Sequence, residues 1–312
     1  MFADDTTLYD SDADLNKLKT KFLKSLNNLI EWCNFNRLDI NWSKTYFMFI
    51  SNKRIKPPTS LIIADNTVEV VDIFKLLGVT IDNKLNFLKH AANLRLAINK
   101  KLYSIKRLFF LSTSVKLQFF KTFIMPYFDY TLSLLIYMPK NTIQKIKNCF
   151  DYCLFKLLNF KIETYNALNI KIDSQDLVND FNFKLEKYGL FTFEHRFITR
   201  ITQFTHKIMH NKNSPEILVN AITINNTTTN NYTLRNKDLI IEPLTFTHYG
   251  EFTFQFFFSK LINKHLSNNI YFKFNDFKKN IFDNLNIIYT NFISTFKKFN
   301  LQYKYTNYIN IK

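Results

Sequence analysis

Apolar residues recur at Leu15, Leu18, Phe22, Leu26, Leu29 and Trp32/Cys33, spaced three and four apart. That period predicts an amphipathic helix ending near Phe35. Ser11, followed three residues later by Asp14, reads as a capping box at its start. Ahead of it, Phe2-Ala3 and Thr6 to Tyr9 flank the pair Asp4-Asp5, the pattern of a β-hairpin over residues 2–10 with two acids at its turn. After Phe35 the helical period stops and residues 37–50 take on strand character. Lys56-Pro57-Pro58 breaks the chain, and short strands are predicted at 61–64, 67–71 and 76–81.

From about residue 86 the pattern turns helical. Amphipathic segments run over 87–110, over 114–137 around Pro126, and from about 142 to 159. Farther on, helices are predicted near 193–211, 250–267 and 275–300. A polar Asn/Thr tract at 225–231 reads as an exposed loop. No internal repeat is visible. The division expected is an α/β unit (1–85), a helical unit (86–165) and a mostly helical C-terminal region (166–312), an α+β class. The longest apolar run, about 119–138, is interrupted by Lys121, Pro126 and Asp129, which suits a buried helical hairpin and not a membrane span.

Composition changes this picture in two ways. Aromatic residues make up 17% of the 312 residues, with 35 Phe, 16 Tyr and only 3 Gly, the usage that AT-rich coding sequence produces. Lys and Arg exceed Asp and Glu by 42 to 25, giving +17 and a pI near 9.6. A field of that sign attracts polyanions, of which nucleic acid is the commonest. Cys33, Cys149 and Cys153 form no Cys-x-x-Cys pair, and with no apolar leader at the start they point to a reducing intracellular setting, nuclear and/or cytoplasmic.

The sharpest chemistry is Phe2-Ala3-Asp4-Asp5. Nucleotidyl transfer uses two metal ions about 4 Å apart, and hard cations need clustered carboxylate oxygens. Adjacent acids at a tight turn fit that need, although an exposed acidic turn has the same sequence. Two further segments follow in order: Asn41-Trp42-Ser43-Lys44-Thr45, and Leu76-Leu77-Gly78-Val79-Thr80-Ile81-Asp82 with Leu85, Phe87 and His90 beyond it. Gly78, one of the 3 glycines, implies a conformational need at that point.

In these three segments the chain resembles the reverse transcriptases of non-LTR (LINE-type, jockey-like) retrotransposons, from the palm hairpin onward. That family carries a (Phe/Tyr)-Ala-Asp-Asp hairpin, an Asn-x-x-Lys-Thr segment and a Leu-Gly-Val-x-(Ile/Leu)-Asp segment in the same order. The likeness continues through Lys116 to Tyr130, Tyr188-Gly189-Leu190, Glu194-His195-Arg196, Thr205-His206-Lys207-Ile208 and Tyr232-Thr233-Leu234-Arg235-Asn236. It implies a partial polymerase palm followed by a helical thumb. It further implies Asp4 as a metal ligand with Asp5 beside it, and Lys44 approaching the incoming triphosphate. Leu77, Gly78 and Val79 would form the primer grip. Mg²⁺ (or Mn²⁺), an RNA template, a DNA primer and deoxynucleoside triphosphates follow as cofactor and partners, with no membrane. The family's metal site needs a further aspartate upstream, so this chain alone is expected not to polymerise and its half-palm to be poorly soluble.

The helical unit offers basic residues for backbone phosphates: Lys100, Lys101, Lys106 and Arg107 first, then Lys116, Lys121, Lys140, Lys145 and Lys147. Plain solvated helices carry the same pattern. Two alternatives remain open: a non-catalytic nucleic-acid-binding remnant, and a polymerase fragment like a group II intron maturase. His206 and His210, four apart, lack a third ligand and read as partly exposed helical histidines. Asp173 and Asp176 read as solvated.

Overall fold

The structure, a computed structural model, describes residues 5–52, 57–106, 110–158, 182–222, 240–246, 250–266 and 270–301. The chain divides into two compact units between Phe74 and Lys75. The class is mixed α+β, with helix predominating.

In the first unit, helix α1 spans Leu15–Phe35. Its cap is Asp14, whose carboxylate accepts from the amides of Asn16 and Lys17 at 2.7 and 3.3 Å. Ser11 is not the cap. The acids at 10, 12 and 14 bind nearby amides, Asp10 that of Ser11 and Asp12 that of Asp14. Such local bonds compete with a strand ladder, and residues 6–10 form no strand; Asp5 makes a single bridge. Strand β1 is only Tyr46–Phe47, β2 is Ser60–Ile63 and β3 is Asn66–Val70. Strand β3 lies in the middle, antiparallel to β2 and parallel to β1. The sheet is thus an antiparallel pair, β2 and β3, to which the two-residue β1 adds a parallel edge. Phe22 of α1 meets Phe47 edge-on at 5.0 Å, and Phe47 meets Phe49 at 4.7 Å. Among the described residues of this unit only Ile63 and Val68 are buried apolar side chains, and α1 buries none.

Strands β4 (Ile73–Leu76) and β5 (Val79–Asp82) form a hairpin that carries the chain into the second unit. The single strand expected over 76–81 is thus broken by a turn at Leu77-Gly78. Helix α2 follows at Leu88–Lys106, then α3 at Thr113–Phe119 and α4 at Met125–Thr131. Between α3 and α4 lies one π turn, Phe120–Ile124, in which Met125 N–H bonds Phe120 C=O. Pro126 supplies no N–H and crowds the carbonyl four residues back, which explains the irregularity. Helix α5 is Lys140–Leu157 and α6 is Phe193–His210. Helices α7 (Glu216–Asn220), α8 (Phe254–Leu261), α9 (Phe274–Asp283) and α10 (Leu285–Thr295) follow. The helix expected over 275–300 breaks at Asn284, whose side-chain amide donates to Asn280 C=O at 3.0 Å and competes with the helical ladder.

Residues from Phe87 to Leu301 share one continuous core built around Phe120, Phe128, Phe150, Phe257, Phe258 and Phe292. The expected thumb and C-terminal region therefore fall in one compact unit, and its boundary lies ahead of residue 85. The reason is local: the β4–β5 hairpin is fastened to α2, as the next section details. No described helix is long and apolar enough to cross a membrane. The polar tract at 225–231 lies outside the described residues.

Candidate functional site

In the first unit, the Asn-x-x-Lys-Thr segment folds into a 3₁₀ turn, Trp42–Lys44. Asn41 organises it. Its side-chain oxygen accepts from Ser43 Oγ at 2.7 Å, and its carbonyl accepts from Thr45 Oγ1 at 2.8 Å and Lys44 N at 3.1 Å. Lys44 is exposed on this turn. Asp4 lies outside the described residues, and Asp5 is exposed. A carboxylate suits a hard cation, but one is not a site. Among the described residues no three His, Cys, Asp or Glu side chains converge to hold a metal.

In the second unit, Leu77 and Gly78 both have positive φ, 45° and 84°. Left-handed geometry at both central residues defines the type I′ hairpin turn, whose twist matches its flanking strands. Glycine serves that geometry at 78; leucine at 77 is strained. A Cβ on Gly78 would meet Tyr130 Cε1 at an ordinary 3.6 Å, so conformation and not space demands the glycine. Tyr130 of α4 steadies the turn, its hydroxyl donating to Leu77 C=O at 2.5 Å. Leu77 nonetheless stays 44% exposed.

The rest of this motif fastens the hairpin to α2. Asp82 is buried, and its carboxylate accepts from the amides of Lys84 (3.1 Å), Asn86 (3.1 Å) and Phe87 (2.7 Å). Those bonds hold the loop through Leu85 and Phe87, which also have positive φ. Thr80 N–H donates to His90 Nδ1 at 3.3 Å, and Asn93 donates to Thr80 Oγ1 at 3.2 Å. Burial holds the His90 imidazole below its ordinary pKa and keeps it a neutral acceptor.

The basic residues separate into three groups. Lys100 is exposed and Lys101 is half-buried, the Lys101 ammonium 5.1 Å from the Tyr127 ring and 6.0 Å from Phe123. Lys106 ends α2, and Arg107 lies outside the described residues. Lys116 and Lys147, expected on the solvated face, are buried. Lys147 pairs with Asp151 at 2.9 Å and Glu194 at 3.0 Å, the three side chains 0%, 4% and 6% exposed. Burial pushes the Asp151 carboxyl up to about 6 against the pull of Lys147, with Glu194 adding to the rise. Tyr289 is pushed up to about 12, mainly by burial, with Glu194 adding to the rise and Lys147 opposing it.

Two features gave little sequence signal. Asp129 of α4 receives both Nε and Nη2 of Arg196, the former at 2.6 Å, and Nη2 of Arg200 at 2.8 Å. The i, i+4 spacing of the two arginines was visible, but their shared partner lies 67 and 71 residues away. His206 and His210 instead donate from Nε2 to the carbonyls of Phe272 (2.8 Å) and Ile270 (2.7 Å). They fasten 270–272 to α6, and His206 is buried where partial exposure was expected. Asp173, Asp176 and residues 232–236 lie outside the described residues.

Fold and site together define a mostly helical α+β protein with a basic, aromatic-rich second unit. No family model, curated protein or solved structure matches the chain.

Proposed function

We propose that this chain is part of the RNA-directed DNA polymerase of a non-LTR retrotransposon, and that its second unit holds primer and template. The observation that carries the reading is the exposed Leu77-Gly78 turn, kept in strained left-handed geometry by Tyr130. It falls at the motif position that the resemblance assigns to primer contact, and costly conformations are retained where a surface must be presented. Asp4 and Asp5 would supply carboxylates to Mg²⁺ (or Mn²⁺), and Lys44 a positive charge to a deoxynucleoside triphosphate. A second reading, nucleic-acid holding without catalysis, draws on the basic residues Lys100 and Lys101 of α2.

The test is binding of an RNA/DNA hybrid with a recessed 3′ end across a salt series, followed by primer extension on the same hybrid. Phosphate contact requires log affinity to fall linearly with log salt, with Lys100→Ala and Lys101→Ala each lowering the slope by about 1. Affinity indifferent to salt refutes both readings. Extension that Asp4→Asn abolishes supports the polymerase, and hybrid binding with no extension, even when the upstream coding sequence is supplied, leaves the holding role alone.

A further inference from the structure

Phe123, Tyr127 and Tyr130 lie in line along the path from the π turn into α4, all exposed, Tyr130 at 63%. Spacings of four and three residues set side chains on one helical face. Lys101 confirms this for two of them, its ammonium reaching both the Phe123 and the Tyr127 ring. The core-facing side of the same path, Phe120, Ile124 and Phe128, is fully buried. The path cannot roll to hide the outer rings without drawing those three out of the core, so the aromatic face is held outward.

Charge along the stripe has one sign. Lys101 lies over two of the rings, and Lys100 and Lys121 on the same two segments are exposed. Asp129, the acid of α4, is taken up by Arg196 and Arg200. At its far end the stripe reaches the Leu77-Gly78 turn through the Tyr130 hydroxyl.

Exposed aromatic rings, two of them with the Lys101 ammonium over them, suit a partner that is planar and anionic, with its bases unpaired. An apolar protein surface would bury the Lys101 ammonium without a counter-charge, which is costly. Four residues of helix rise about 6 Å, more than the roughly 3.4 Å between stacked bases, so neighbouring rings take bases of an unstacked strand. A duplex keeps its base faces inside. We propose that Phe123, Tyr127 and Tyr130, with Lys101, form a stacking platform for the unpaired nucleotides of a single strand, ending at the Leu77-Gly78 turn. It rests on the functional reading above only in taking nucleic acid as the partner.

The test measures binding of the full chain to a labelled oligothymidylate and to a blunt RNA/DNA hybrid of equal length, at one salt concentration. Phe123→Leu and Tyr127→Leu keep apolar bulk and remove the ring face. Each is expected to weaken oligothymidylate binding roughly 5- to 150-fold and leave hybrid binding unchanged, with Tyr127→Trp restoring it. Unchanged labelling of buried Cys153 verifies folding in each variant. Equal loss on both probes, or no loss on the single strand, overturns the platform. So does a self-association of the chain that Tyr127→Leu abolishes, because the stripe would then be an interface between copies. Hybrid binding with leucine-insensitive single-strand binding leaves the polymerase reading standing and the platform fallen. Leucine-sensitive single-strand binding without hybrid binding does the reverse.

Discussion

Replacing Lys147 with methionine keeps the side chain's length and removes the cation between Asp151 and Glu194. Its ammonium is 2.9 and 3.0 Å from the two carboxylates and fully buried, so no water replaces it. Breaking a buried pair from one side costs about 3–5 kcal/mol, whereas replacing all partners with apolar residues is often neutral. Lys147→Met should therefore destabilise the second unit by that amount, and adding Asp151→Leu and Glu194→Leu should recover most of it. Tryptophan fluorescence does not report this, since Trp32 and Trp42 both lie in the first unit. Thiol labelling does, because Cys149 and Cys153 of α5 are buried free thiols. Labelling should quicken by at least about a hundredfold in Lys147→Met. The penalty should also shrink toward pH 4, where the abandoned carboxylates take up protons. The Asp151 carboxyl has a folded pKa of about 6 against 3.8, so the proton is held more tightly in the folded state. Its contribution is full below 3.8 and lost as pH rises through about 6, about 3 kcal/mol in all. Asp151→Asn should thus gain on the wild type by about that much between pH 3.8 and 6.5. His265, held down to about 4 by burial, acts oppositely: its contribution is present above 6.5 and lost as pH falls through 4. The difference between variant and wild type removes it. Wild-type labelling in Lys147→Met, or a difference for Asp151→Asn that does not change with pH, refutes this account of the cluster.

Leu77→Asn should raise the unfolding free energy of the second unit, read in a urea titration, by about 1 kcal/mol, since asparagine tolerates the left-handed turn. Gly78→Ala should lower it by about 1 kcal/mol for the opposite reason. Asp82→Ala leaves three amides without their carboxylate and should cost about 1–3 kcal/mol, read as faster hydrogen exchange at the buried Phe87 amide. Lys298 donates to Ile136 C=O, and burial holds its ammonium down to about 7. A depressed lysine opposes folding while charged, so stability should rise from pH 7 toward 10.5, and Lys298→Met should flatten that rise in a urea series.

What was legible in the sequence was what neighbouring residues decide. Helix α1 and the hairpin of β2 and β3 follow from period and turn residues, and α5 and α6 from their apolar stripes. Lys147 was misread because i, i+4 lysine and aspartate look the same on a solvated face as in a core. Burial came from Glu194, 47 residues on, which no local pattern reports. The acids at 10, 12 and 14 looked like the end of a hairpin and a capping box. Each instead binds the amide of a close neighbour, a competition that hydrophobic period does not display. The hold of Tyr130 on Leu77 spans 53 residues and was equally hidden.

The motif residues themselves now separate into two kinds. Asn41 and Thr45 close a turn, Asp82 caps a loop, and Thr80 binds His90. Each makes bonds that stability alone explains, so their presence would be expected in any protein using these turns. Lys44 and Leu77 are different. Lys44 is exposed on a turn that Asn41 and Thr45 build without its side chain. Leu77 is exposed in a conformation that leucine resists and asparagine would accept. Neither residue is explained by the fold. If stability were the only demand on the Leu77-Gly78 turn, Leu77→Asn would raise the midpoint and leave hybrid binding untouched. If the turn meets a primer, the same substitution makes a more stable protein that binds less well, and that divergence separates a structural motif from a functional one.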